Sequence, residues 1–157
     1  MGLTLLCAGR IKEKYYAEAV AEYVKRLGAY CDVSVVEIRE ERTENPSEAE
    51  VQASLKREGA ELLSRVPKGA FVVAMCVEGR GQSTEKLAET LRDVALTHSK
   101  ICIVIGSSFG LHDDVKRAAQ LRLSMSQMTL PHSLARVLAT EQLYRAFNIN
   151  AGGKYHK

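Results

Sequence analysis

The 157-residue sequence lacks the features that mark a membrane-bound or exported chain. No apolar run approaches the roughly 20 residues that a membrane-spanning helix requires. The start, MGLTLLCAGR, has no positive charge before its short apolar run and no cleavage signal. Leu6 also occupies the position at which a myristoylation motif requires Ser or Thr. We therefore expect a cytoplasmic protein with no membrane partner.

Cysteine is scarce, and its spacing does not suit a metal. The four cysteines are Cys7, Cys31, Cys76 and Cys102, and they form no C-x-x-C pair and no His/Cys ligand spacing. At least three of them lie in apolar runs, where cysteine is usually a small buried hydrophobe. We expect a reducing compartment, no disulfide framework and no metal site.

Positive charge is in slight excess and unevenly placed. The net charge of +3 is too small to indicate nucleic acid by itself. From Glu40 to Glu61 there are seven acidic and three basic residues, whereas after Asp114 there are seven basic residues and one acidic residue. The C-terminal quarter would therefore attract a polyanion, although a scattered solvated surface explains the same charges equally well.

Apolar runs alternate with helical patterns along the chain, with no repeat and no low-complexity segment. The predicted strands are 3–9, 31–38, 70–77, 101–106 and a short one near 121–126. The predicted helices are 12–30, 48–66, 83–99, 112–120 and 131–148. AFVVAMCV and ICIVIG are nearly all apolar, which is typical of parallel strands buried on both faces. The pattern predicts one α/β domain over 1–157, with right-handed crossovers.

Ligands of such sheets bind beyond the carboxyl ends of the strands, which directs attention to three places: after Val77, after Ile105 and around residue 125. Two segments there carry a candidate pattern. In IGSSFGLHDD (105–114), the glycines would let backbone approach a ligand closely, but the bare pattern favours a plain strand-to-helix turn. In LSMSQMTLPHSLARV (123–137), Pro131 can start a helix that lacks a good side-chain cap unless Thr129 serves. A ligand could satisfy those amides, yet the residue types alone favour Met125 and Met128 as gap-filling core residues.

The last predicted helix carries ionisable groups and apolar residues on more than one side. Its spacing places Arg136 near Glu141, and Glu141 and Arg145 form an i,i+4 pair that could equally be a surface salt bridge. His132 at the helix start suits a neutral base or a hydrogen-bond partner, although a lone histidine is more often structural. One apolar side can pack on the sheet, and a second subunit is the simplest cover for the rest.

Four segments together resemble the RlmH family, the ribosomal large-subunit pseudouridine N3-methyltransferases of the SPOUT class. They are KEKYYAEAVAEYVKRLGAY, IGSSFGL, SMSQMTLPHSLARVLATEQLYRAF and the terminal YHK. The resemblance covers essentially the whole chain. It implies a mostly parallel sheet flanked by helices, a deep C-terminal trefoil knot, S-adenosylmethionine as cofactor without a metal, and a homodimer. It also implies a cofactor knot region at about 70–150 and a substrate-facing tail at 151–157.

The resemblance further implies a substrate and a set of site residues. The substrate is 23S rRNA, at a pseudouridine in the loop of helix 69, on the assembled ribosome and with no role for DNA. The implied cofactor-binding residues are Met75, Gly106, Met125, Ser126, Gln127, Met128, Thr129 and Leu130. The implied catalytic residues are Arg145, Tyr155 and His156, with Lys154, Lys157 and His132 as substrate-binding residues.

The implied chemistry assigns a task to each catalytic residue. N3 of pseudouridine is an imide N–H that must lose its proton before it can attack a methyl donor. We hypothesise that His156 accepts this proton, because histidine is the side chain that changes charge near neutral pH. Tyr155 would stack on a base, and Arg145 would stabilise the developing imide anion.

Two departures and two alternatives accompany the resemblance. Ser107 stands where the family commonly has a glycine, and the linker AGGK lacks the Arg and Pro often found before the terminal Tyr. One alternative is a non-catalytic ribosome-binding factor with the same fold. The other is a SPOUT methyltransferase that acts on tRNA.

Overall fold

The computed structural model describes residues 1–41 and 43–157 and contains a five-stranded parallel sheet. The strands are β1 (Gly2–Ala8), β2 (Asp32–Ile38), β3 (Phe71–Gly81), β4 (Lys100–Ile105) and β5 (Leu121–Ser124). Their order in the sheet is β2-β1-β4-β3-β5, and each pairing is parallel. The predicted parallel α/β sheet is therefore confirmed, and the main difference is that β3 runs on to Gly81 after an irregularity between Met75 and Arg80.

The five predicted helices are also present. They are α1 (Lys14–Leu27), α2 (Glu48–Arg65), α3 (Thr84–Ala95), α4 (Asp113–Ala118) and α5 (His132–Asn150). Ser83 caps α3, since its hydroxyl accepts the backbone N–H of Lys86 at 3.2 Å. Helix α5 begins directly after Pro131 without a side-chain cap. Its first amides are therefore left to other partners.

The core lies on both faces of the sheet, as the apolar strands predict. Along β1, Leu3, Leu5 and Cys7 face a layer made by α1, α3 and α5, whereas Leu6 and Ala8 face α2 and α4. This alternation follows from the two-residue period of a strand. Because β1 and β4 are covered on both sides, only the strand ends remain open to a ligand.

The cysteines behave as the sequence predicts. Cys7, Cys31 and Cys102 are buried free thiols, and Cys76 is partly exposed. Burial raises the pKa of Cys102 to about 12. At neutral pH this side chain therefore stays a protonated, apolar packing group.

Two features are absent from residues 1–41 and 43–157. No helix there is long and apolar enough to cross a membrane. No cluster of three or more His, Cys, Asp or Glu side chains in those ranges is arranged to hold a metal ion. The trefoil knot and the division into a cofactor region and a tail stay predictions from the resemblance.

Candidate active site

An open cavity of about 280 Å³ lies at the carboxyl ends of β3 and β4. Three segments build its wall: 75–78 at the end of β3, 105–111 after β4, and most of 125–135 before and within the start of α5. These are the three places that the strand-end rule selects from the sequence. The cavity is thus a direct consequence of the parallel sheet.

The cavity collects most of the residues that the resemblance assigns to the cofactor. Those in its wall are Met75, Gly106, Met125, Ser126, Met128, Thr129 and Leu130. Gln127 is exposed and is not part of the wall. His132, assigned to the substrate, lines the cavity as well. The position of these residues is a finding, whereas their roles stay predictions.

The turn after β4 is tight and requires its glycines. A Cβ on Gly106 would lie 2.3 Å from the carbonyl oxygen of Gly110, and Gly110 has a φ of +86°. The backbone N–H of Gly110 donates to the carbonyl of Ser107 at 2.9 Å. The segment is therefore a strand-to-helix turn, as its pattern favours, and it is also a wall of the cavity.

Buried and half-buried carboxylates anchor this turn from outside the cavity. The Ser107 hydroxyl donates to Glu58 at 3.0 Å, and Glu58 also accepts the backbone N–H of Glu41. The Ser108 hydroxyl donates to Glu40 at 2.6 Å. Burial raises the pKa of Glu58. Ser107, where the family commonly has glycine, therefore contributes a hydrogen bond that glycine cannot make.

The segment before α5 presents backbone and apolar side chains to the cavity. The Ser126 hydroxyl accepts the backbone N–H of Met128 at 3.0 Å and fixes a local turn. Met128 is 77% exposed, so its interpretation as a core residue is wrong. Val77 and Phe109 are exposed at the same rim. Exposed apolar groups around a cavity are typical of a binding site.

The sequence does not predict one ion pair at the rim of the cavity. Lys116 of α4 pairs with Glu78, and this hydrogen bond holds the pKa of Glu78 below its ordinary value. Both residues line the cavity. The position after Val77 is predicted as a ligand-binding region, but no local pattern connects Glu78 with a lysine 38 residues later.

The C-terminal tail, residues 151–157, folds back along α5. Gly152 has a φ of +72°, which favours glycine, and the backbone N–H of Gly153 donates to the carbonyl of Asn148 at 2.8 Å. The Asn148 side-chain oxygen accepts the backbone N–H of Tyr155 at 3.1 Å. The two glycines thus form the reversal that returns the tail to the body of the domain.

Tyr155 is held on α5 by contacts on its ring and its hydroxyl. The hydroxyl donates to Glu141 at 3.2 Å, and the Arg145 guanidinium lies 4.5 Å from the ring centroid. A hydrogen bond with Tyr23, with burial and the charge of Glu141, raises the pKa of Tyr155 to about 12. Arg145 also binds Glu141, so this pair is part of the tail's docking site and more than an isolated surface salt bridge.

His156 lies at the start of α3. Its Nε2 is 2.9 Å from Glu85, and its Nδ1 is buried without a hydrogen-bond partner in the described part of the chain. The pKa of Glu85 is lowered to about 2 by hydrogen bonds from the backbone N–H of Glu85 itself, from His156 and from Ser83. Lys154 and Lys157 are exposed beside it.

The tail and the cavity are separate within one chain. Neither Tyr155 nor His156 lines the cavity. Tyr155 reaches α5 at Glu141, nine residues after the cavity residue His132, which is about 13 Å along a helix axis. Arg136 does not join Glu141 as its spacing suggested: it is buried and binds Glu37 and the carbonyl of Gly9. A spacing of four or five residues along a helix does not determine on which of two neighbouring faces a side chain lies, so it could not identify the partner of Arg136.

Comparisons with known proteins identify the family of this chain. Residues 1–156 match the family model described as a predicted SPOUT methyltransferase. The chain is 43% identical, over 100% of both chains, to the ribosomal RNA large subunit methyltransferase H of Clostridium novyi (strain NT). It is also 43% identical, again over 100% of both, to the protein of that name from Bacillus cytotoxicus.

Solved structures share the fold at low sequence identity. A probable methyltransferase from Bordetella pertussis Tohama I aligns with a TM-score of 0.56 and 15% identity, covering 92% of this chain and 95% of that one. A probable methylase family protein from Haemophilus influenzae Rd KW20 aligns with a TM-score of 0.53 and 15% identity, covering 99% of this chain and 70% of that one. The family model and the full-length relatives together show that the chain belongs to the SPOUT methyltransferases, in the ribosomal RNA large subunit methyltransferase H family.

Proposed function

We propose that this chain is an S-adenosylmethionine-dependent methyltransferase of 23S rRNA. Its target is N3 of a pseudouridine in the loop of helix 69, on the assembled ribosome in the cytoplasm. The observation that carries the proposal is the match, over the whole length of both chains and at 43% identity, to relatives named ribosomal RNA large subunit methyltransferase H. The choice of nucleoside and of atom comes from the sequence resemblance.

The cavity has the chemistry that S-adenosylmethionine requires. When bound, this cofactor would supply an electrophilic methyl group: a nucleophile attacks the methyl carbon in line, the carbon–sulfur bond breaks, and the sulfonium leaves as a neutral thioether. Met75, Met125 and Leu130 offer apolar surface for an adenine ring. The tight turn at Gly106 and the uncapped start of α5 offer backbone groups for its polar edges. Glu78 at the rim can accept hydrogen bonds from ribose hydroxyls.

His156 is the proposed proton acceptor for the pseudouridine imide. A neutral imidazole whose Nε2–H donates to Glu85 carries its lone pair on Nδ1. Nδ1 makes no hydrogen bond within residues 1–41 and 43–157, so its lone pair is not committed there. A carboxylate that orients a histidine in this way also stabilises the protonated imidazole. Glu85 thus supports His156 as a general base, and the proposal requires the tail to expose the buried Nδ1 to the nucleoside.

Arg145 and Tyr155 are proposed to hold the nucleoside. A guanidinium close to the deprotonated imide stabilises its negative charge. The raised pKa of Tyr155, about 12, keeps its phenol protonated at neutral pH, which fits a stacking role rather than a role as base. Because Arg145 covers one face of this ring, a base would stack on the other face or displace the guanidinium.

The active form is proposed to be a homodimer in which the tail of one chain serves the cavity of its partner. The separation of about 13 Å along α5 supports this assignment, since the docked tail lies away from its own cavity. Leu134, Val137 and Leu138 of α5 are only partly buried in the single chain, which leaves apolar surface for a second copy. Lys154 and Lys157 would then contact RNA phosphates.

The test is methyl transfer from labelled S-adenosylmethionine to four substrates offered separately: assembled ribosomes, isolated large subunits, naked 23S rRNA and tRNA. We expect label in 23S rRNA of assembled ribosomes, recovered by digestion and mass spectrometry as N3-methylpseudouridine. Label in tRNA alone would replace the substrate assignment. No label in any RNA would favour a non-catalytic ribosome-binding factor.

A further inference from the structure

A second open cavity, of about 440 Å³, lies at the carboxyl ends of β1 and β2. Its wall consists of Gly9, Arg10, Lys12, Glu37, Ile38, Arg39 and Glu40. No residue assigned to cofactor or nucleoside belongs to it. Because all five strands are parallel, this basic cavity opens at the same edge of the sheet as the cofactor cavity.

Three cations dominate the surface of the basic cavity. Arg10, Lys12 and Arg39 are exposed. None of the three makes a hydrogen bond or ion pair with another residue in the described part of the chain. Because these three cations surround a single concavity without an ion-pair partner in the described part of the chain, they are available to an external anion.

The carboxylates nearby already have partners. Glu37 binds the guanidinium of Arg136, which lies behind the cavity and is only 2% exposed. Glu40 accepts the hydroxyl and the backbone N–H of Ser108. Just beyond the wall, Glu41 pairs with Arg57. The positive charge of the three surface cations is therefore only partly offset.

The neighbouring helix end adds to the positive field. Helix α1 starts at Lys14, two residues after Lys12, with no acidic residue in its first turn and no side-chain cap from Glu13. The carboxylate of Glu13 is the one acidic group at this end, and Lys14 pairs with Glu18. A helix start carries a partial positive charge that favours bound anions.

One contact joins the basic cavity to the cofactor cavity. Glu40 belongs to the wall of the first and Ser108 to the wall of the second, and their side-chain oxygens lie 2.6 Å apart. A polyanion whose reacting base is at the cofactor cavity would therefore carry neighbouring backbone phosphates to the basic cavity. The wall of the basic cavity has no aromatic side chain, and its three cations outnumber its two carboxylates, Glu37 and Glu40, which suits phosphates and not bases.

We propose that Arg10, Lys12 and Arg39 form a binding site for the backbone phosphates of the RNA substrate, next to the cofactor cavity. This inference rests on the proposed function, because it supplies the RNA with a second anchor. The site positions the strand and contributes no sequence specificity. It also accounts for positive charge that lies far from the basic C-terminal quarter in sequence.

The experiment compares two triple variants that lose the same charge. The first replaces Arg10, Lys12 and Arg39 by Gln. The control replaces Lys25, Lys68 and Lys100 by Gln, which are exposed and lie at the opposite edge of the sheet, at the end of α1 and the starts of β3 and β4. Binding to 23S rRNA is measured by filter retention at several salt concentrations, with S-adenosylmethionine affinity measured by calorimetry.

We expect the first variant to bind 23S rRNA about a hundredfold more weakly near 0.1 M salt, with a salt slope lower by about two, because each lost phosphate contact removes about 0.7 from the slope. Its affinity for S-adenosylmethionine should match that of the control. If the triple variant does not fold, each single Gln variant should lower the slope by about 0.7.

The outcomes separate this inference from the proposed function. If the unaltered chain methylates 23S rRNA and both triple variants bind that RNA equally, the phosphate site is wrong and the function stands. If the unaltered chain neither binds nor methylates 23S rRNA, the proposed function fails and the site falls with it. A lower affinity in both variants to the same extent would indicate a general charge effect and would also overturn the site.

Discussion

The cofactor cavity and the C-terminal tail contrast in how they are built. The cavity consists of backbone turns and apolar side chains at three strand ends, and its turn after β4 is fixed by Gly106 and the buried Glu58. The tail is held by polar contacts to two helices, through Asn148, Glu141 and Glu85. This difference fits the separate tasks that we propose, with cofactor binding in the cavity and proton transfer in the tail.

Replacing His156 by Ala should have the largest effect on turnover, because it removes the proton acceptor that we propose for the tail. We expect turnover on 23S rRNA to fall about 10²- to 10⁴-fold, as is usual when a general base is removed. Affinity for S-adenosylmethionine should not change, because His156 does not line the cavity. His98→Ala is the control, since His98 packs on Phe71 away from both regions. Full turnover in His156→Ala, with an unchanged pH profile, would eliminate His156 as proton acceptor.

Replacing Gly106 by Ala should distort the turn that forms one wall of the cofactor cavity. The new Cβ would lie 2.3 Å from a backbone oxygen of Gly110, so the turn has to move. We expect S-adenosylmethionine to bind about 10- to 100-fold more weakly, because forced overpacking costs about 1–3 kcal/mol. Calorimetry measures this loss. Gly81→Ala, whose Cβ meets nothing within 4 Å, should bind normally, and equal affinity in both variants would contradict the cavity assignment.

Replacing Asn148 by Ala should free the tail without touching the cavity. Asn148 is buried and holds both the backbone of Tyr155 and the hydroxyl of Tyr30. We expect a loss of about 1–3 kcal/mol in the free energy of unfolding, from denaturant titration. Proteolysis after Lys154 should be faster than in the unaltered protein. Unchanged cleavage would show that Asn148 does not anchor the tail.

The smallest expected effect is a loosening of the tail in acid. The pKa of Glu85 is lowered from its ordinary 4.5 to about 2 in the folded chain. His156 contributes part of this lowering, after the backbone N–H of Glu85 itself and together with Ser83. That part stabilises the docked tail above pH 4.5 and is lost as the pH falls from 4.5 to about 2. The backbone amide NMR signal of His156 should shift over that window and not in Glu85→Gln. A midpoint at 4.5 would show that Glu85 is not bound to the tail.

These two regions also differ in how far the sequence predicts them. The five strands and the cavity position follow from apolar runs and from the rule that ligands bind at strand ends, so Met75, Gly106 and Met125 could be expected together. The residues that hold the tail could not be predicted in this way. Glu85 and His156 are 71 residues apart, and no local pattern records such a contact. Lys116 with Glu78 and Ser107 with Glu58 were missed for the same reason.

The most direct test of the account is complementation between two impaired chains, at an S-adenosylmethionine concentration well below the Kd of the Gly106→Ala variant. Gly106→Ala impairs the cavity and keeps the tail, whereas His156→Ala impairs the tail and keeps the cavity. If the tail serves its partner's cavity, a mixed dimer contains one complete site, and random exchange should restore about a quarter of the unaltered rate of 23S rRNA methylation. No restoration, with mixed dimers shown to form, would contradict the account, because each tail would then serve its own chain.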